Sequence, residues 1–545
     1  MTDAANSDAT SGGTLSARAT WLLFLIPLGW FLWSGARGID FGNHWDEEIQ
    51  LSLVQESIDD ETFLPGWYNY SSISYWLALA ALTPELVTSD LSGLDPLNPR
   101  ESVAAPTPGL RPVQDRLIEA TKDPDFLLRT RGVFLCVSSL MLLGVFLASR
   151  AKGGPWEALF AAGLLATSFE LSYHARWIAP DCILAAFVAL FLATLIRLPS
   201  GRCNLVCLGL IAGLATGTKY TGGLLLLPIF ITWWRQVPER QPRQLARALG
   251  AFACTFLITT PGALLQPVRF WRDVAHESSH YSLHHHGFTV EGGLDHLGLN
   301  LQWLSMDLGS PYTVLALFIS FLTLIGVVSS WRHDRFEAAL LLVIPLAWLL
   351  FFSSRNVLFV RNLLPIAPFF ALFAGRGLSF FANSLPERAR PVAAALGACV
   401  LVVNGAFAWS ASESIRSRGT SDPVVELLTW LETERGDRTV YISEPVAREL
   451  YALQGGSLPE GCHSTLDSPA DLAAFRPGEI ALDAETRKER SKAGNLLSNV
   501  PGCLEASFGP REVNWEWYTT WQEPRIVVIE RAFLETLQRS KPEKD

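Results

Sequence analysis

The chain is short of charge. Only 18% of its 545 residues are Asp, Glu, Lys or Arg, while 49% are hydrophobic; a soluble protein carries about 25% charged residues. Basic side chains are outnumbered 43 to 53, a formal charge of −10, which excludes nucleic-acid binding driven by a basic surface. Low-complexity tracts are missing and core-forming residues are abundant. A disordered chain, a collagen and a small disulfide scaffold are therefore excluded as well. No internal repeat is visible, which weakens an inverted-repeat transporter. No Gly-rich phosphate loop follows a strand, which argues against a nucleotide-bound substrate.

What is present is a series of long apolar runs. A membrane span needs about 20 mostly apolar residues, and such runs fall near 19–36, 130–149, 155–173, 179–196, 203–218, 220–234, 245–265, 311–330, 337–353, 360–380 and 391–409. The expected fold is mainly α, a polytopic helical bundle of about eleven spans over residues 19–409. Residues 1–18 are expected to be a disordered tail, and 410–545 a small α/β domain facing water. The first run has no small-residue cleavage site after it and is read as a retained anchor.

Orientation follows from the basic residues. With the N-terminus inside, every inner connection is basic: Arg150 and Lys152, Arg197 and Arg202, Arg235 to Arg247, Arg332 and Arg335, Arg376 to Arg390. The first outer loop, 37–128, holds 16 acidic residues against 5 basic, a net of −11. This predicts a multi-pass plasma-membrane protein with a cytoplasmic N-terminus and an extracytoplasmic C-terminal domain. Within the loop, Ser71 to Leu86 reads as an interfacial helix or a twelfth span. Cys462 and Cys503 fall in the outer domain, where a disulfide is permitted, and are expected to pair. An aromatic group in the same domain, Trp515, Trp517, Tyr518 and Trp521, suits packing or stacking on a sugar.

The informative residues are charges at the membrane edge, because each costs about 2.5–3.5 kcal/mol at mid-bilayer. On the outer side they collect at loop starts: His44-Trp45-Asp46-Glu47-Glu48, Tyr173-His174-Ala175-Arg176 through Pro180-Asp181, Lys219-Tyr220, Arg355-Asn356 and Arg361-Asn362. Cations there suit a phosphate at headgroup depth, and a carboxylate beside them suits a general base. Each piece also has a plainer reading. The acidic triplet fits a solvated loop, Asp181 a helix cap, and Lys219, Arg355 and Arg361 side chains reaching from the interface toward water.

Taken in order, these stretches resemble the GT-C superfamily of membrane glycosyltransferases, in its protein O-mannosyltransferase and aminoarabinose-transferase branch. The likeness rests on His44-Trp45-Asp46-Glu47, Asn69-Tyr70-Ser71-Ser72-Ile73, Tyr173-His174 through Asp181, Ala215 through Gly222, and Arg361-Asn362-Leu363-Leu364-Pro365. Trp45 and Ser71 stand where the family pattern has proline. The resemblance implies transfer of a sugar from a polyprenyl-phosphate-linked donor to an acceptor hydroxyl, with inversion. It implies Asp46 as general base and Glu47 as its helper or as a residue that positions the acceptor. His44, Asp181, Arg176, Lys219, Tyr220, Arg355 and Arg361 are then the substrate-binding candidates, the cations serving the lipid phosphate. The implied partners are the donor, membrane lipids and an acceptor that is a protein, lipid or polysaccharide.

No cofactor is expected. His276, His280 and His284 would share one helical face, with Asp295 and Asp307 nearby, so a metal is conceivable there. However, the first outer loop lacks the Asp-x-Asp of metal-dependent oligosaccharyl transferases, and no residue is assigned to metal. The competing reading is a transporter or flippase for a phosphorylated lipid, which would need charges deep within spans and repeated halves.

Overall fold

The computed structural model describes residues 16–41, 45–88, 111–200, 204–237, 240–282, 289–418 and 423–442. Toward the C-terminus it describes residues 447, 450, 451, 454, 457–464, 480–485, 504–508 and 525–530. The chain divides into two compact units. One comprises 1–39, 43–283 and 290–413, the other 40–42, 284–289 and 414–545.

The first unit is helical, and every one of the eleven expected apolar segments carries helix. It opens with α1 (Ala17–Ala36), followed by α2 (Trp45–Asp59), α3 (Ile73–Ala80), α4 (Thr83–Thr88) and α5 (Arg111–Thr121). At 8 and 6 residues, α3 and α4 are too short to cross a bilayer, so a twelfth span is not formed. Next come α6 (Pro124–Ser138) and α7 (Leu140–Lys152), which make one membrane-length rod. It starts at Asp123, whose side chain caps Asp125 N at 2.9 Å.

The segment expected at 155–173 breaks into α8 (Pro155–Ala166) and α9 (Phe169–Ala175); α10 (Pro180–Arg197) and α11 (Leu205–Thr218) follow. A 3-10 turn, Tyr220–Leu225, then leads into α12 (Leu226–Gln236). The rest is α13 (Pro242–Thr259), α14 (Gly262–Leu265), α15 (Pro267–His280), α16 (Leu294–Trp303), α17 (Thr313–His333), α18 (Arg335–Ser353), α19 (Ala367–Ser384) and α20 (Arg390–Arg418).

Among the described residues, seven helices are long and apolar enough to cross a membrane, with Pro155–Ala166 and Leu205–Thr218 as shorter apolar helices. The chain is a multi-pass membrane protein. Its core runs through the buried faces of α7, α8, α10, α11 and α19, where Val145, Ala162, Leu192, Leu208 and Leu372 are buried. Small residues bring backbones together: a Cβ on Gly326 of α17 would strike the Phe373 carbonyl, and one on Gly377 of α19 the Leu322 carbonyl.

Contacts of Asp181 with Lys219 and Arg361 and of Trp348 with Asn362, and a cavity shared by Lys219 and Arg355, bring the start of α10, the end of α11, the end of α18 and the turn before α19 to one end of the bundle. The other end carries Glu337, paired with Lys152 and, at 3.0 Å, with Arg376.

In the second unit, α21 (Pro423–Thr433) precedes strands β1 (Val440–Ile442), β2 (Cys462–Ser464), β3 (Ile480–Glu485), β4 (Leu504–Phe508) and β5 (Arg525–Glu530). Sheet order is β2-β1-β3-β5-β4. β1 is parallel to β2 and β3, while β5 is antiparallel to β3 and β4. Val424, Leu427 and Leu431 of the helix pack with Val440 and Ile442. The Cys462 thiol is buried and forms no disulfide among the described residues; Cys503 and the aromatic group at 515–521 lie outside the described residues.

Candidate functional site

The charged residues at helix ends converge. Asp181 is the second residue of α10, behind Pro180, where a helix N-terminus favours negative charge. Its side chain does not cap the helix. Instead, Oδ1 accepts from Lys219 Nζ at 2.9 Å, and Oδ2 stands 3.7 Å from Arg361 Nε. Lys219 also donates to Asn362 Oδ1 at 2.6 Å. Tyr281 OH donates to the same oxygen at 3.4 Å, and Trp348 Nε1 holds the Asn362 carbonyl at 2.7 Å. The Arg361 guanidinium lies over the rings of Trp177 and Phe359, at 5.4 and 5.2 Å. Four distant stretches thus meet around one carboxylate.

Lys219 reaches this point because the chain reverses tightly after α11. The turn closes through Gly222 N to the Lys219 carbonyl at 2.8 Å. A Cβ on Gly222 would run into the Ala215 backbone, so a larger residue would push the turn away. Tyr220 OH donates to the Tyr68 carbonyl at 2.7 Å, fastening the turn to the segment before α3. Tyr68 N in turn donates to Asp273 Oδ2 of α15 at 3.0 Å.

Between these parts lies a cavity of about 380 Å³. Its wall is largely apolar and aromatic, with Leu224, Val274, Phe351 and Phe352. Lys219, Tyr220, Arg355, Glu277 and Asn69 supply the polar groups. Arg355 donates to Ser282 Oγ at 3.2 Å and lies over Phe351. The cavity therefore combines cations with room for hydrocarbon.

The start of α2 is fixed separately. Glu47 is buried, receiving Arg131 Nε at 2.9 Å, Arg131 Nη2 at 2.5 Å and the Ile178 N–H at 2.9 Å. Arg131 also donates to the Ile39 carbonyl at 2.6 Å. This carboxylate is locked by a two-pronged ion pair and ties α2 to the turn that carries Asp181. Asp46, its chain neighbour, is the second residue of α2; the position of its side chain and all of His44 lie outside the described residues.

Arg176 is not brought to this group. It is fully buried and donates to the Ser34 carbonyl at 3.1 Å, Ser412 Oγ at 2.9 Å and the Ser172 carbonyl at 3.3 Å. Its geometry fits a tie between α1, α9 and α20, and it is not among the residues lining the cavity.

The histidine row lies only partly within the described residues. His276 is exposed on α15, the helix stops at His280, and His284 lies outside the described residues. His296 is buried with Nδ1 2.9 Å from the Arg355 carbonyl, and burial lowers its pKa. Among the described residues, no group of three His, Cys, Asp or Glu could hold a metal ion.

Sequence reasoning missed Arg131, Asn362 as the shared acceptor, and Glu277. The signal for Arg131 was present: an arginine inside a predicted span needs a buried partner.

Comparison with known proteins places these features. Residues 129–261 match the family model described as dolichyl-phosphate-mannose-protein mannosyltransferase. That stretch contains Arg131, Asp181 and Lys219. ArnT from Cupriavidus metallidurans, solved bound to undecaprenyl phosphate, is similar in fold. Its TM-score is 0.51 at 13% identity, covering 94% of this chain and 98% of that one. The same protein in its apo state gives 0.51 at 11% identity, over 94% and 98%. A curated protein, insulin-like growth factor 2 of Gallus gallus, is 27% identical over 135 residues, 24% of this chain and 68% of that protein. At that identity over a quarter of the chain, it carries no argument about activity. The chain is thus a multi-pass membrane protein similar in fold to ArnT, and its segment 129–261 is similar to the dolichyl-phosphate-mannose-protein mannosyltransferase family.

Proposed function

We propose that the protein transfers a sugar from a polyprenyl-phosphate-linked donor to an acceptor hydroxyl, at the extracytoplasmic face of the plasma membrane. One observation carries this reading: Asp181, Lys219, Arg361 and Asn362 meet beside a cavity whose wall is largely apolar and which carries the cations Lys219 and Arg355. A donor of this class has the same two parts, an isoprenoid chain and a phosphate. The fold likeness to a protein solved with undecaprenyl phosphate supports it.

Chemically, the acceptor oxygen attacks the anomeric carbon as the bond from that carbon to phosphate breaks. The electron pair leaves with the phosphate, and the acceptor proton passes to a carboxylate. Attack opposite the leaving group inverts the anomeric centre. A phosphate is a weak base and leaves without a general acid, but the charge it gains needs cations. Lys219 has three N–H groups, two of them used by Asp181 and Asn362 among the described residues. The third is available to a phosphate oxygen, and Arg355 is the second cation of the cavity.

Asp46 is the proposed base. Glu47, held by Arg131 and Ile178, positions it by anchoring the start of α2. General-base removal costs about 10²–10⁴-fold in rate. Asp46→Asn in reconstituted vesicles should therefore lose transfer of radiolabelled sugar from polyprenyl-phosphate donors by that factor, while still binding polyprenyl phosphate. Near-normal transfer by this variant would remove Asp46 from the mechanism.

A further inference from the structure

Glu277 is a carboxylate in the wall of the cavity that the reading above leaves without a task. It lies on α15, half-buried, with Oε2 accepting from Asn69 Nδ2 at 3.3 Å. Groups from every neighbouring element act on it: Asn69, Lys219 and Tyr220, Arg361, and His276 on its own helix. Arg355 and Tyr281 share its cavity.

An ionised carboxylate and a phosphate in one enclosed space repel each other, and the cheapest relief is a proton on the carboxylate. Burial already raises the pKa of Glu277, although Lys219, Asn69, Arg361 and His276 all pull it down.

We propose that Glu277 takes up a proton when a phosphate headgroup enters the cavity, its carboxyl then donating a hydrogen bond to a phosphate oxygen. Release of that proton to water restores the repulsion and helps the phosphate product leave. This inference rests on the cavity being the phosphate-lipid site. The product gives it a purpose. A sugar phosphodiester has one negative charge, whereas the monoester left after transfer approaches two near neutral pH, its second pKa lying at about 6. A glutamate that ionises after transfer therefore acts hardest on the product. The proton is borrowed from water and returned to it, so the step balances without another reactant.

The test is calorimetric titration of the full-length protein in detergent with a short-chain polyprenyl monophosphate. It is run at pH 7.5 in buffers of different ionisation enthalpy. The unaltered protein should take up about one more proton on binding than Glu277→Gln. Its affinity should weaken by up to about tenfold per pH unit between pH 7 and 9, while the Gln variant, which cannot ionise, stays flat over that range. Binding without proton uptake by the unaltered protein overturns the proposal whether or not the variant folds. Equal uptake by both proteins also overturns it, since the proton then sits on the ligand or another group. No binding by the unaltered protein overturns the cavity reading itself, and the inference with it.

Discussion

Two buried ionic assemblies meet at the turn before α10, where the Ile178 N–H holds Glu47 three residues ahead of Asp181, and they are built for opposite purposes. Glu47 and Arg131 form a closed pair: side-chain exposures are 2% and 0%, both prongs of the guanidinium are engaged, and a backbone N–H completes the carboxylate. Asp181, Lys219 and Arg361 form an open one. Its contacts range from 2.9 to 3.7 Å, and Lys219 borders a cavity. A sealed pair with every donor satisfied has nothing to offer a ligand, and it makes a rigid joint. An assembly with one long contact and an open side can exchange a protein partner for a ligand oxygen. The same residue types therefore serve as a fastener in one place and a receptor in the other. Satisfaction of hydrogen bonds, and not charge, tells them apart.

Breaking the fastener should have the larger effect. Removing one partner of a buried pair leaves an uncompensated charge, worth about 3–5 kcal/mol. Arg131→Ala is thus expected to lower the thermal stability of the purified protein sharply, and Glu47→Ala to do the same. Replacing both by apolar residues of similar volume should recover much of that stability without restoring transfer, because α2 would lose its anchor to Ile178. Full activity in the double replacement would show that the joint does not position the site. Lys219→Met should have a smaller effect, on binding. A charged hydrogen bond is worth about 1.5–3 kcal/mol, so affinity for polyprenyl phosphate should fall by about 10–100-fold. Unchanged affinity would make Lys219 a second fastener.

The sequence made the bundle legible because a bilayer converts length and hydropathy directly into span. All eleven segments carry helix for that reason. It could not show where a span would break, since the apolar run at 155–173 reads as continuous although Thr167 and Ser168 separate α8 from α9. Asp181, Lys219 and Arg361 were legible as charges at helix ends, where burial is costly enough to imply a role. Arg176 satisfied the same rule and turned out to tie Ser34 and Ser412. A cost of burial signals a partner without naming it. Glu277 was invisible, because an acidic residue in a polar helix of an outer loop pays no evident penalty until folding turns it toward a cavity.

A third kind of buried carboxylate sharpens the contrast. Asp307, in the π-helical turn Leu304–Gly309, is buried near Glu170, and burial first and that like charge second push its pKa up to about 9. Where Glu47 meets a guanidinium, Asp307 is kept neutral by taking a proton. A carboxyl whose folded pKa is raised stabilises the fold fully below its unfolded value, about 3.9. The folded state then binds more protons than the unfolded one, so stability falls as pH rises, and this contribution is gone above about 9. Asn imitates the protonated form and cannot ionise. Asp307→Asn should therefore unfold near the unaltered protein's temperature at pH 5 and above it at pH 9, by a few degrees. Parallel pH profiles for the two proteins would mean that Asp307 is ionised and held by a cation, an arrangement of the Glu47 kind.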